Sequence, residues 1–119
     1  MLGLRIFLVL FLLFLLAYTG IVVSDQGLGL IPIFFGDIAT LTWPGQFNLD
    51  FLGFLLLSGL WVLWRNGFSA LSFPLALFAA LGGMVFLSIY LLFLLSRARG
   101  DFVHVLLGVH SPPGHQVQR

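Results

Sequence analysis

The chain has 119 residues, 61% of them hydrophobic and 8% charged, with a mean hydropathy of +1.15. Soluble domains average about 45–50% apolar and about 25% charged residues, and one this small leaves too much surface in water to hide such an excess, so composition alone points to an integral membrane protein. The absence of cysteine excludes disulfides, thiolate catalysis, iron–sulfur clusters and cysteine-type zinc sites.

There is no lysine and no glutamate. The net charge of +1 comes from Arg5, Arg65, Arg97, Arg99 and Arg119, set against Asp25, Asp37, Asp50 and Asp101. No basic run is long enough to follow a phosphate backbone, which excludes nucleic acid as a partner.

The first element follows Arg5: Ile6 to Val23 carries no charge and suits a membrane helix over residues 5–23. A cleaved leader is the rival, with Arg5 as its basic start and Val22-Val23-Ser24 as its cleavage site. The apolar run is longer than the about 7–15 residues of a leader core, which favours an uncleaved span.

Residues 24–50 are punctuated by Gly, Pro and Asp, the composition of a connection. The apolar piece Leu28 to Phe35 is too short to span. A crossing here would carry Pro32 and Asp37 through lipid, and the Asp alone would cost about 2.5–3.5 kcal/mol at a helix centre. The expectation is a re-entrant or interfacial loop, with Trp43 at the membrane surface.

The second span is expected over residues 49–65. Asn48 suits its N-cap, and Asp50 suits the positive end of the helix dipole. Trp61, Trp64 and a snorkelling Arg65 mark its far interface. Asn66-Gly67 is a turn signal, and the short connection 66–72 makes spans two and three an antiparallel hairpin.

The third span, 73–96, opens at Ser72 with Pro74 in its first turn and is closed by Arg97 and Arg99. Gly100-Asp101 breaks the pattern. Residues 102–110 read as a short interfacial segment, and 111–119, with Pro112-Pro113-Gly114, as a loose tail. The domain organisation is therefore a three-helix membrane domain over 1–100 and a short segment with a flexible tail over 101–119. The fold class is all-α membrane.

With three crossings, Arg5, Arg65 and the amino terminus share one face, and Arg97 and Arg99 the other. The positive-inside rule then leans only narrowly to N-terminus inside and C-terminus outside.

The best constellation for chemistry is Asp50 with Arg97 or Arg99, since that hairpin puts both on one membrane face; Asp37 can join them. The plain reading is an interfacial ion pair. The functional one is an arginine site for a headgroup, carboxylate or phosphate.

The spacing of Asp25, Asp37 and Asp50 fits no compact metal motif. His104, His110 and His115 lack the i, i+4 spacing of a shared helix face. No metal or cofactor is expected. Tyr18, Thr19, Ser58, Ser88 and Tyr90 are the polar groups within the spans and suit interhelical hydrogen bonds. With no intramembrane acid, lysine or histidine expected, a proton relay is disfavoured. Gly53, Gly59, Ala76, Ala79, Ala80 and Gly83 supply a small-residue packing seam, within the chain or between chains.

The Phe34-Phe35 loop, the Pro44 turn, Leu49-Asp50 opening span two, Trp61 to Trp64 closing it, and Arg97-x-Arg99 closing span three together resemble a family of small uncharacterised bacterial three-span membrane proteins, a domain of unknown function. The similarity covers residues 1–100. It implies the bacterial inner membrane and three spans, and carries no activity.

Two functional classes follow. The favoured one is a non-catalytic membrane protein acting as an accessory or interaction subunit, with another membrane protein or a second copy as partner. The alternative is the binding or conversion of an isoprenoid or lipid at the Asp/Arg cluster. A channel or transporter unit ranks below both, since so small a chain would have to oligomerise.

Overall fold

A computed structural model describes residues 2–115, His115 through its backbone only. The His115 side chain, Arg119 and the tail from residue 116 lie outside the described residues. Among those described, the architecture is all-α: α1 (Leu2–Gln26), α2 (Leu30–Ala39), α3 (Trp43–Arg65), α4 (Ser72–Arg97), α5 (Phe102–Leu107), then 3-10 turns at Gly108–His110 and Pro113–His115. By length and composition, α1, α3 and α4 are able to cross a membrane.

The expected loop between the first two spans is mostly helix. Its ten-residue α2 is about 15 Å long, half the thickness of the hydrocarbon core. Pro32 is accommodated in its first turn. It runs antiparallel to the start of α3: Asn48 Nδ2 donates to Phe34 O (3.2 Å), and a Cβ on Gly45 would collide with Asp37 O.

α3 starts six residues earlier than the sequence suggests. Thr42 is its cap residue, and Pro44 lies in the first turn, where its missing N–H costs nothing. Asn48 is therefore inside the helix rather than at its cap, and Asp50 lies in its second turn.

α4 is interrupted at Gly83, whose φ of 55° and ψ of −136° are not helical. The neighbours on either side show how sharply it turns. A Cβ on Gly59 would lie 3.1 Å from Ala76 O, and one on Gly83 would lie 3.1 Å from the tip of the Phe51 ring. The arm 72–82 therefore climbs antiparallel to α3. A straight continuation would carry Tyr90 about 21 Å past Ala76, away from Arg65. Instead the Tyr90 hydroxyl is 2.9 Å from Asn66 Nδ2 and 3.3 Å from Arg65 Nη1. The arm 84–97 has folded back and runs beside α3 in the same direction. At the corner, a Cβ on Gly82 would lie 2.8 Å from Phe86 Cβ.

α1 lays one face on this returning arm. Leu8 is 1% exposed, and Leu4, Arg5, Leu12 and Leu15 on the same side are half-buried. Arg5 Nη2 donates to Leu95 O (3.1 Å). The core is thus built at one end of the molecule, from Leu8, Val62, Ala76, Ala79, Tyr90, Leu94, Leu95, Ala98 and Val105.

Gly83 occupies backbone space that L side chains rarely enter. Gly83→Ala should destabilise the protein by about 1–3 kcal/mol, read as a fall in the unfolding midpoint in detergent. An unchanged midpoint would show that the reversal does not need glycine.

Candidate functional site

The most densely bonded polar group is Arg65, at the last residue of α3 and 4% exposed. Its Nε donates to Val105 O (2.8 Å), Nη2 to His104 O (3.1 Å), and Nη1 to Asn66 Oδ1 and Tyr90 Oη (3.3 Å each). The guanidinium carbon is 6.0 Å from the ring centres of both Trp61 and Tyr90, within cation–π range. The sequence suggests a snorkelling surface cation here. The structure corrects that: α5 covers the side chain.

The acceptors have a common origin. Val105 and His104 belong to the last turn of α5, whose carbonyls carry the negative end of the dipole; the His104 carbonyl also accepts from the Gly108 N–H. Leu106 O, from the same turn, accepts from Trp61 Nε1 at 3.0 Å. Asp101 starts the helix, its carboxylate accepting from the backbone N–H groups of Val103 and His104 (3.2 and 3.4 Å).

Beyond α5, a Cβ on Gly108 would collide with Arg65 O, so the chain passes only as glycine. The His110 ring stacks on Trp64 with centroids 4.2 Å apart, and its Nε2–H donates to Trp64 O (2.9 Å). Residues 102–110, which the sequence presents as an interfacial segment, are a strap across the end of α3. The tail reading also yields at Ser111, which is 4% exposed and donates from Oγ to Gly108 O (2.7 Å).

The expected Asp/Arg cluster does not assemble. Arg97 and Arg99 follow the returning arm to the Arg65 end. Asp50 lies 15 residues before Arg65 on α3, about 22 Å along the axis. Asp37 packs against Gly45, farther still, with its Oδ2 3.5 Å from Asn48 Nδ2. Such a cluster requires a continuous third span, and the break at Gly83 removes it. The exposed Arg97 has its guanidinium 5.7 Å from the Phe93 ring centre.

The small-residue seam is present in part. Gly59 packs on Ala76 and Ala80, and Ala79 is fully buried. Gly53 has nothing within 4 Å, and Gly83 makes the reversal. Of the polar groups within the spans, Tyr90 is hydrogen-bonded, Ser58 and Ser88 have buried hydroxyls without partners, and Tyr18 and Thr19 face outward. No group of three or more metal-ligating side chains comes together among the described residues.

The Arg65–Tyr90–strap network is not foreseen in the sequence. Its one visible sign is an arginine beside Asn66, two tryptophans upstream and a lone tyrosine in a later span. Nothing in that pattern shows that the later span turns back. No known protein family, curated protein or solved structure matches this chain.

Two outcomes test the geometry. Arg65→Lys should lose nearly as much stability as Arg65→Gln, at least about 2–3 kcal/mol by thermal unfolding in detergent, because a single ammonium cannot reach acceptors arranged around a planar fork. Rescue by lysine would show that charge alone suffices. For Asp50→Asn and Arg97→Gln, a double-mutant cycle should give coupling below about 0.5 kcal/mol, as for well-separated sites.

Proposed function

We propose that this chain is a non-catalytic integral membrane protein of the bacterial inner membrane, acting as an accessory or interaction subunit and related to the small membrane-protein family that its motifs resemble. The observation that carries this reading is the second half of α1. From residue 16 to 26 every side chain is exposed, whereas the first half of the same helix packs on α4. Ala17, Gly20 and Ser24 fall on one face of that free stretch, and a Cβ on Gly20 would meet nothing within 4 Å.

In lipid, helices associate through close backbone approach and a few polar contacts rather than by hiding apolar surface from water. A free helix half with small residues on one face, beside the outward Tyr18 and Thr19, suits a second membrane helix. The test is crosslinking and co-purification from native membranes. Gly20→Leu should abolish the associated chain or homo-oligomer, and Gly3→Leu, at an equally open glycine on the packed half, should leave it intact. Absence of any associated chain, or indifference to Gly20→Leu, would refute the reading.

One observation favours the alternative, a bound lipophilic molecule. An open groove of ≈ 480 Å³ runs where α2 turns into α3, lined by Ile38, Leu41, Thr42, Trp43, Gln46 and Leu49. It lies at the end of α3 remote from Arg97 and Arg99, so a ligand there would not use the arginine headgroup site suggested by the sequence.

A further inference from the structure

The reversal at Gly83 changes how charge is distributed across the membrane. With a continuous α4, Arg5 and Arg65 would stand on one face and Arg97 and Arg99 on the other. In the structure all four stand at one end. Arg5 donates to Leu95 O, and its Nη2 would lie 3.9 Å from a Cβ on Gly100, so Arg97 and Arg99 lie in sequence between the two positions it approaches. Arg65 binds the carbonyls of His104 and Val105, a few residues beyond Arg99.

The acids, apart from Asp101, lie elsewhere. Asp25 is 20 residues along α1 from Arg5, about 30 Å of helix. Asp37 packs beside Gly45, which is about 30 Å before Arg65 along α3. Each arm of α4 is also short for a crossing: residues 72–82 span about 16 Å and 84–97 about 21 Å, against a hydrocarbon core of about 30 Å.

We propose that α4 is a re-entrant hairpin that enters and leaves the membrane on one side, and that this arginine end is the cytoplasmic face, docked on anionic phospholipid headgroups by Arg5, Arg97 and Arg99. Arginine bias near helix ends sets orientation, with acids contributing little. The bias here is four to none among the described residues, where a straight α4 would divide it evenly. Arg97 and Arg99 are exposed, free to reach phosphate oxygens, and an anionic leaflet attracts such a juxtamembrane group. Trp61 and Trp64, at the same end, suit the headgroup level. The N-terminal side of α1 and the strap therefore share the cytoplasmic face, where three crossings would separate them. This inference does not depend on a protein partner.

The chain lacks cysteine, so single cysteines report position without background. Gln26→Cys, Ser69→Cys and Pro112→Cys all replace exposed residues; Ala70→Cys and Gly114→Cys stand in where one of the last two fails to accumulate. Each variant is exposed to a membrane-impermeant maleimide in sealed right-side-out vesicles, before and after permeabilisation. Gln26→Cys should label at once. Ser69→Cys and Pro112→Cys should label only after permeabilisation, with an increase of about tenfold or more, as for a strongly biased orientation.

Combining Ser69→Cys with Arg5→Gln, Arg97→Gln and Arg99→Gln should raise its labelling in sealed vesicles toward that of Gln26→Cys. Labelling of residues 69 and 112 from opposite sides would show that α4 crosses, overturning the hairpin. Labelling of both from outside would overturn the cytoplasmic assignment. An unmoved triple variant would show that these arginines do not read the leaflet.

Discussion

A guanidinium held almost wholly out of solvent among aromatic and aliphatic side chains must have its charge and its N–H donors answered within the protein, and that requirement organises the end of the molecule where α3 stops. Desolvating such a cation costs several kcal/mol unless its hydrogen bonds are made. For Arg65 the acceptors come from three separate stretches: Asn66 just beyond α3, Tyr90 on the returning arm of α4, and the carbonyls of His104 and Val105 in α5. The carbonyls in the last turn of the short helix carry the negative end of its dipole, and the His104 carbonyl takes Arg65 as a second donor beside the Gly108 N–H. The cation and the helix end answer each other. The same contact requires Gly108, because the strap must pass against the backbone of Arg65.

None of this closes unless α4 reverses. The reversal is permitted by Gly82-Gly83: one glycine takes a backbone conformation that other residues rarely adopt, and its neighbour leaves room for Phe86. The arms then pack on opposite terms. The ascending arm meets α3 through small residues, with Gly59 against Ala76, so the backbones come close. The descending arm meets α3 and α1 through larger side chains, including Tyr90 set edge-on to Trp61 of α3 with ring centres 6.1 Å apart. Close approach on one side leaves space for the bulk on the other.

Much of the fold is legible in the amino-acid sequence. Hydropathy and the absence of charge locate three long apolar helices, and Ser72 and Pro74 mark the start of α4. The departures share a cause. Pro44 reads as a turn, yet its fixed φ and missing N–H suit a first helical turn equally well; the turn reading shortens α3 and makes Asn48 a cap. Gly83 reads as a packing residue, while its value is conformational; a glycine in an apolar helix looks the same in sequence either way. From that one residue follow the misplaced Asp50–Arg97 pair and the balanced charge distribution. Arg65 is visible as a cation after an aromatic belt, but its burial depends on contacts more than twenty residues away in the chain.

The two ends of the molecule have different physical character. At the arginine end, a few polar groups are concentrated into one bonded network under a strap, with the buried core packed around it. At the far end, the second half of α1 stands free and α2 and α3 open into a groove. Lipid tails are as apolar as the leucines and phenylalanines exposed there, so hydrophobicity gives this end no reason to close on itself. What can hold another molecule there is shape: small residues that admit a helix backbone, or a groove that admits a chain. For the interaction subunit proposed above, a bonded end and an open end form a coherent division, because a partner helix docked on the free half of α1 would leave the network around Arg65 undisturbed.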